Sequence, residues 1–473
     1  MATDIKFGTD GWRGVIADDY TFANVRRVAR AIAHYVHKHE DPSRGLLVAY
    51  DTRFGSRRFA EITSEELAAS GLRVQIAQEI TPTPALSYMV KKQQTAGGVM
   101  ITSSHNPWSW NGVKFKATYG GSATPAIIQK IESYIDVPAI TKSGGAVVES
   151  DFKTPYIAAL KEFVDISVIA KSGMKLLIDV MYGAGRGVLK GMFTEAGIPH
   201  VEIRSELNPL FPGINPEPIL PHVNAALEAV VEHKCQGAFI TDGDADRIGA
   251  GTEKGEYVTS HMCYAVLLQW LLRHRAQWTG VITRAFNTTQ MLDRIAKAYN
   301  RELIEHGIGF KYVADIVLSG REVLVGGEES GGIGIPRFLP ERDGILNSLL
   351  LASAMAEEGK SLGELVEGLQ QTYGRHSYGR RDLHLTEEIK QSALKRAAAG
   401  PKSIGRYKVM HNGNLDGYKF FLDAPNDNGR DAEAWVLVRG SGTEPLLRVY
   451  CEAATPELVN EILDSALEFV HGN

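Results

Sequence analysis

Three times along this chain a short apolar run breaks into a polar loop. Gly98-Val99-Met100-Ile101 ends in Thr102-Ser103-Ser104-His105-Asn106-Pro107. Ala238-Phe239-Ile240-Thr241 runs into Asp242-Gly243-Asp244-Ala245-Asp246-Arg247, and Val323-Leu324-Val325-Gly326 into Gly327-Glu328-Glu329-Ser330-Gly331-Gly332. Apolar runs this short, bounded by turn residues, read as buried strands. Open α/β sheets bind ligands outside the carboxyl ends of their strands. A hydroxyl loop, a triple-carboxylate loop and a carboxylate-plus-hydroxyl loop, all so placed, point to one composite site.

Each run sits in an alternation of strand and helix signals. The first region predicts strands at 46–50, 73–77 and 98–101 and helices at 57–70 and 84–92. The second predicts strands at 175–180, 200–204 and 237–241 with helices at 188–196 and 222–233. The third predicts helices at 262–274 and 289–299 and strands at 280–286 and 322–325. Such alternation implies three related α/β domains, with parallel or mixed sheets covered by helices on both faces. The last region differs. Strands at 435–438 and 446–450 flank Arg439-Gly440-Ser441-Gly442-Thr443-Glu444-Pro445 as a hairpin-type connection, and 456–470 reads as an amphipathic helix. That makes a smaller C-terminal α+β domain, with a linker expected between 357–360 and 373–381.

At 473 residues the chain exceeds one ordinary core, so several domains are expected. A hydrophobic content of 44% with 23% charged residues fits a globular protein, and a net charge of −5 argues against a nucleic-acid partner. Cys235, Cys263 and Cys451 are far apart and form no CxxC pattern, which argues against zinc and a disulfide framework. Residues 1–10 carry no apolar signal core. The longest apolar stretch, 264–272, contains Gln269 and stops at Arg273, too short to cross a bilayer. A reduced, cytoplasmic, soluble enzyme or binding protein is expected.

The loops carry the chemistry. Ser104 beside His105 is either a displayed nucleophile or part of a Ser/Thr-rich turn before Pro107. No GxSxG elbow supports a hydrolase triad. Asp242, Asp244 and Asp246 alternate along an extended loop, so their carboxylates can converge on a hard divalent cation such as Mg²⁺. A solvated acidic turn and an EF-hand are the alternatives. Glu253 stands at the last EF-hand ligand position, but Arg247 replaces the turn glycine and the flanks read as strands. Glu328 and Ser330 sit among glycines, ready to bond sugar hydroxyls or to form a polar turn. Arg439, Ser441 and Thr443 in a glycine-rich loop suit a phosphate cradle or a plain tight turn. Lys114, Lys116 and Lys311 are mobile charges, able to act as acid or base where burial depresses the pKa and otherwise solvated.

Phe7-Gly8-Thr9-Asp10-Gly11-Trp12-Arg13-Gly14, the Ser-His-Asn-Pro loop, Asp-Gly-Asp-Ala-Asp-Arg, Gly-Glu-Glu-Ser-Gly-Gly and Arg-Gly-Ser-Gly-Thr-Glu-Pro occur in this order. Together they resemble the α-D-phosphohexomutases over nearly the whole chain. The resemblance implies a heart-shaped arrangement of four domains around a central site: 1–148 for the phosphoserine, 149–254 for the metal, 255–372 for the sugar and 373–473 for the phosphate. It implies Ser104 as the phosphoserine with His105 beside it, Asp242, Asp244 and Asp246 with a phosphoserine oxygen as Mg²⁺ ligands, and Arg247 closing the metal loop. Arg13 and Lys114 resemble the active-site cations of the first domain, Lys114 as a candidate acid/base. Lys311, in Gly309-Phe310-Lys311, together with Glu328 and Ser330 matches the sugar contacts. Arg439, Ser441, Gly442 and Thr443 match the clamp on the non-reacting phosphate. Small hexose phosphates are the implied partners, hexose 1,6-bisphosphate the activator and intermediate, and a monomer or weak homodimer the expected state. Gly332 stands where many phosphomannomutases and glucosamine mutases have His, which leans toward glucose and toward phosphoglucomutase activity. A bisphosphate synthase, a phosphomannomutase and a non-catalytic sugar-phosphate sensor are the alternatives; a sensor needs neither Ser104 nor the three aspartates.

Overall fold

A computed structural model describes residues 4–8, 10–426, 429, 431–440 and 446–472. Its strands form four sheets. The first has the order Trp12–Val15, Trp110–Lys116, Gly98–Ile101, Leu46–Tyr50, Arg73–Ala77, Ala146–Ser150, and so extends past residue 148. The second runs Tyr257–Val258, Ile248–Thr252, Gly237–Thr241, Leu176–Asp179, His200–Ile203, and the third Leu303–His306, Val281–Ala285, Val323–Gly327, Ile333–Gly334.

The three sheets share one local device. Gly98–Ile101 is parallel to Leu46–Tyr50 on one side and antiparallel to Trp110–Lys116 on the other. Gly237–Thr241 stands in the same way between Leu176–Asp179 and Ile248–Thr252, and Val323–Gly327 between Val281–Ala285 and Ile333–Gly334. Every polar loop is therefore the turn by which an internal strand reverses into its antiparallel neighbour. These internal strands are buried at every position, so they read as continuous apolar runs rather than alternating ones. The sheets are mixed, as expected. Strands on both sides of the Asp loop leave no place for the helices of an EF-hand.

The fourth sheet is antiparallel throughout, in the order Ser377–His384, Leu446–Ala453, Trp435–Gly440, Tyr418–Leu422, Tyr407–Gly413, Ser403–Ile404. Helices Glu387–Ala398 and Pro456–His471 pack against it through Ala393, Ala397, Ile462 and Leu463. The expected hairpin pairing of Trp435–Gly440 with Leu446–Ala453 is present, while its loop, 441–445, lies outside the described residues.

The linker expectation is corrected. The segment after Glu358 forms the helix Leu362–Tyr373, capped by a reciprocal Ser361–Glu364 box, with Leu362 and Leu369 fully buried. Residues Ser377–His384 are an eight-residue strand of the fourth sheet. The helix is amphipathic with a charged outer face, and the strand carries Arg380, Arg381 and Asp382 in succession, so both mimic a solvated connection. Helix Phe22–His39, with ten buried residues, falls outside the expected elements. Helix Gly344–Glu358 is buried from Gly344 through Met355 and joins Phe239, Trp270 and Ile295 in one continuous core beneath the second and third sheets.

Candidate active site

The three loops meet. Ser104 is fully buried and donates from Oγ to Asp242 Oδ2 at 2.7 Å. His105 Nδ1 lies 3.4 Å from the same hydroxyl, and Arg13 donates to Asn106 Oδ1 at 2.9 Å. Gly243 permits this approach of the first and second loops: a Cβ there would stand 2.4 Å from the Ser104 carbonyl oxygen.

Asp242, Asp244 and Asp246 are wholly buried, with one oxygen from each lying within 4.8 Å of the others. Asp242 Oδ1 accepts from the backbone N–H groups of Asp246 and Arg247 at 3.0 and 3.1 Å. Asp244 Oδ2 accepts from Thr83 Oγ1 at 2.5 Å and Lys114 Nζ at 2.8 Å. Asp246 Oδ2 meets Lys114 at 3.1 Å and Arg342 at 2.8 Å. Among the described residues, Asp244 Oδ1 and Asp246 Oδ1 are buried without hydrogen-bond partners. Buried carboxylate oxygens need a partner, and oxygens converging in this way fit a hard divalent cation. Burial and the charges of Asp244 and Asp246 push the Asp242 carboxyl far up. Burial acts on Asp244 in the same direction, but Lys114 and the hydrogen bonds from Lys114 and Thr83 outweigh it and hold that carboxyl below its ordinary range. Arg247 is nearly buried, its Nε 3.8 and 3.9 Å from Asp246 and Asp242.

Lys114 is not a mobile charge: three carboxylates hold it. Burial lowers its pKa, yet Asp10 at 3.0 Å, with Asp244 and Asp246, reverses the balance and raises it. An ammonium gripped by three carboxylates is held in its charged form. Lys116 is not a mobile charge either: it is fully buried and donates to Glu341 at 2.6 Å. Lys311 starts the helix Lys311–Leu318, half-buried, with Nζ 5.4 Å over the Tyr312 ring.

In the third loop Glu328 is buried 3.5 Å from Arg342, and Ser330 is half-buried. Arg439, next to last in the strand Trp435–Gly440, donates from Nε to Asp416 Oδ1 at 2.8 Å. Ser441, Gly442 and Thr443 lie outside the described residues. Sequence reasoning missed Arg342, which touches Asp10, Asp246, Glu328 and Glu341. It also missed the cross-domain roles of Asp10 and Thr83. Asp10 sat inside a quoted motif; Arg342, between Glu341 and Asp343, carried no local signal. Arg342 also accounts for Gly332, because a Cβ at that position would stand 2.2 Å from Arg342 Cδ.

Family models for phosphoglucomutase/phosphomannomutase match along the chain: alpha/beta/alpha domain I over residues 4–139, domain II over 154–255, domain III over 259–373 and the C-terminal domain over 427–468. The chain belongs to the phosphoglucomutase/phosphomannomutase family, the α-D-phosphohexomutases. Its sequence is 29% identical to a phosphoglucomutase/phosphomannomutase of Thermococcus kodakarensis, over 98% of each chain. It is 28% identical to a phosphoglucosamine mutase of Limosilactobacillus reuteri, over 97% of this chain and 96% of the relative. A crystal structure from Thermus thermophilus, provisionally described as a phosphomannomutase, superposes with a TM-score of 0.86 at 36% identity and full coverage of both chains. This phosphohexomutase is therefore an enzyme, an intramolecular phosphotransferase whose reversible isomerisation proceeds by metal-assisted phosphoryl transfer. Its four units follow the family's four-domain arrangement.

Proposed function

We propose that the enzyme interconverts glucose 1-phosphate and glucose 6-phosphate, with Ser104 carrying the exchanged phosphoryl group. The observation that carries this reading is the Ser104 hydroxyl, 2.7 Å from Asp242, beside a carboxylate triad with two unpartnered buried oxygens. Mg²⁺ is the cation we assign to Asp242, Asp244, Asp246 and an oxygen of phosphorylated Ser104; when bound it neutralises charge on the phosphoryl group. In the transfer, the bond from Ser104 Oγ to phosphorus breaks and a free hydroxyl oxygen of the hexose monophosphate bonds to phosphorus. The hydroxyl proton moves to the departing Ser104 oxygen, which is again the hydroxyl that donates to Asp242; burial and the nearby Arg247 and Arg13 charges keep the His105 imidazole neutral. The resulting hexose 1,6-bisphosphate turns over and returns its other phosphoryl group to Ser104, whose hydroxyl proton passes to the sugar oxygen that is released.

In this reading the four units serve the phosphoserine, the metal, the sugar and the phosphate in chain order, with the divisions at 148, 254 and 372 moved to follow Ser150, Val258 and Tyr373, where the elements end. Glu328, Ser330 and Lys311 take the sugar. Arg439, with Ser441, Gly442 and Thr443, takes the non-reacting phosphate. Glucose is supported by Gly332, beside which Arg342 fills the space of a larger side chain. Three unpaired, buried cysteines suit the reducing cytoplasm.

Two measurements test the reading. Ser104→Ala should lower turnover by on the order of 10³-fold or more and abolish the single phosphate seen by intact mass; normal turnover would end the covalent mechanism. Assayed with glucose, mannose and glucosamine phosphates, kcat/KM should favour glucose by roughly ten- to hundredfold. Equal values would defeat the assignment, and near-stoichiometric release of glucose 1,6-bisphosphate would make the enzyme a bisphosphate synthase.

A further inference from the structure

Ser104 has a φ of 49°, in the left-handed region that a residue with a side chain keeps only when its surroundings hold it. Those surroundings form one buried polar assembly rooted at the end of strand Leu46–Tyr50. Arg53, with a fully buried side chain, donates from Nη2 to the carbonyl oxygens of Ser104 and Asn106, each at 2.7 Å. Its Nη1 donates to the carbonyls of Pro107 at 2.8 Å and Trp110 at 3.0 Å. One guanidinium thus gathers four carbonyls of the loop that carries the nucleophile.

Asp51 holds the guanidinium from the other side, 3.3 Å from Nε. The same carboxylate accepts from Thr102 Oγ1 at 2.6 Å, and Thr102 Oγ1 in turn accepts from the Ser104 N–H at 2.9 Å. Both peptide groups of Ser104 are therefore tied to the Asp51–Arg53 pair, the carbonyl directly and the N–H through Thr102. The Phe211 ring, from the second domain, lies 5.0 Å from the guanidinium carbon. Only a planar fork of several N–H donors spans four separated carbonyls; a lysine ammonium is a point with three donors.

We propose that Arg53 is a positioning residue for phosphoryl transfer: through the four loop carbonyls it sets the Ser104 backbone and hence where Oγ presents its phosphoryl group to the sugar hydroxyl. The proposal rests on Ser104 as the phosphoryl carrier. Arg53 acts from behind the loop, so sugar binding is left alone. A displacement of about 1 Å at the reacting atoms is enough to cost on the order of 10²-fold in rate.

The test is Arg53→Lys, which keeps the charge beside Asp51, assayed together with Arg53→Ala and Thr102→Val. In Arg53→Lys, kcat should fall about 10²-fold with KM for the hexose phosphate within about twofold of wild type. Single-turnover transfer from pre-phosphorylated Ser104 should slow by the same factor, and millimolar guanidinium should restore part of the Arg53→Ala rate. Should the Arg53 variants fail to fold, Thr102→Val, which cuts the second tether, should show the same split. A kcat within about threefold of wild type, a loss located in KM, or a loss equal to the missing folded fraction would overturn the proposal. Active wild-type enzyme without phosphate on Ser104 would instead bring down the carrier assignment; a phosphorylated wild type with an indifferent Arg53→Lys overturns the positioning role alone.

Discussion

Lys114 Nζ stands 3.0 Å from Asp10, 2.8 Å from Asp244 and 3.1 Å from Asp246, and Arg342 repeats the pattern with Asp10, Asp246 and Glu328. These two buried cations thus meet five buried or nearly buried carboxylates, Asp10, Asp244, Asp246, Glu328 and Glu341. Removing one partner of such a set leaves a buried charge uncompensated. Asp244→Asn tests how much of the site depends on the triad's charge. It keeps an acceptor for Thr83 but gives up one negative charge, so divalent-cation affinity should weaken at least roughly tenfold and turnover should fall with it. Titration calorimetry with Mg²⁺ checks this, and an unchanged affinity would remove Asp244 from the metal site.

At the scale of elements, each catalytic loop is a reversal between a parallel and an antiparallel strand, so its ends are fixed by strand hydrogen bonds rather than by the loop itself. That explains why such different loops, a hydroxyl turn, an acidic hairpin tip and a glycine-rich turn, can be brought to one point with short distances. Helix Leu362–Tyr373 shows how a surface element can be mistaken for a connection. Its exposed positions carry Glu364, Glu367 and Gln371, while Leu362 and Leu369 enter the core. Its Ser361–Glu364 box satisfies two end groups reciprocally. Ser361→Ala should lower stability by about 1 kcal/mol, read as a shift of the urea midpoint at constant slope, and leave kcat unchanged. No shift in midpoint would show that the cap contributes nothing beyond packing.

The whole molecule is held together unevenly. The second and third domains share one core around Gly344–Glu358, whereas the fourth meets the third through a small separate cluster of Phe286, Trp435, Leu437 and Tyr450 together with polar contacts. Arg380, on the fourth sheet, bonds Glu329 of the third loop at 3.1 Å and lies 4.0 Å from Glu217 of the second domain. Lys419, fully buried, donates to the Phe286 carbonyl at 2.9 Å and sits 4.1 Å from the Trp435 ring centroid. Burial, reinforced by Arg284, lowers its pKa from 10.5 to about 8. Between those values the unfolded chain binds more protons than the folded one, so the linked stability rises with pH; below about 8 the cost of burying the ammonium is fully felt. The stability of wild type relative to Lys419→Met should therefore increase by about 2 kcal/mol from roughly pH 7.5 to 9.5. A pH-independent difference in paired denaturation curves would show that Lys419 does not titrate in this range.

What the amino-acid order determined by itself was local: the apolar strands, the polar loops at their ends, three α/β units with a smaller fourth, and Ser104 and the three aspartates as candidate site residues. These signals lie within a few residues of one another, where periodicity and turn chemistry act. The tertiary structure alone decided which charges matter. Arg342 meets Asp10 across a separation of 332 residues, and Thr83 meets Asp244 across 161. Lys116 looked like any solvated lysine, and Lys114 stood out only through the family resemblance, until packing buried them against Asp10, Asp244 and Glu341. Arg53, three residues past a strand end, showed no sign of gathering the Ser104 loop. A charged side chain acquires its meaning from desolvation and from a partner, and both are supplied by chain segments far away in sequence.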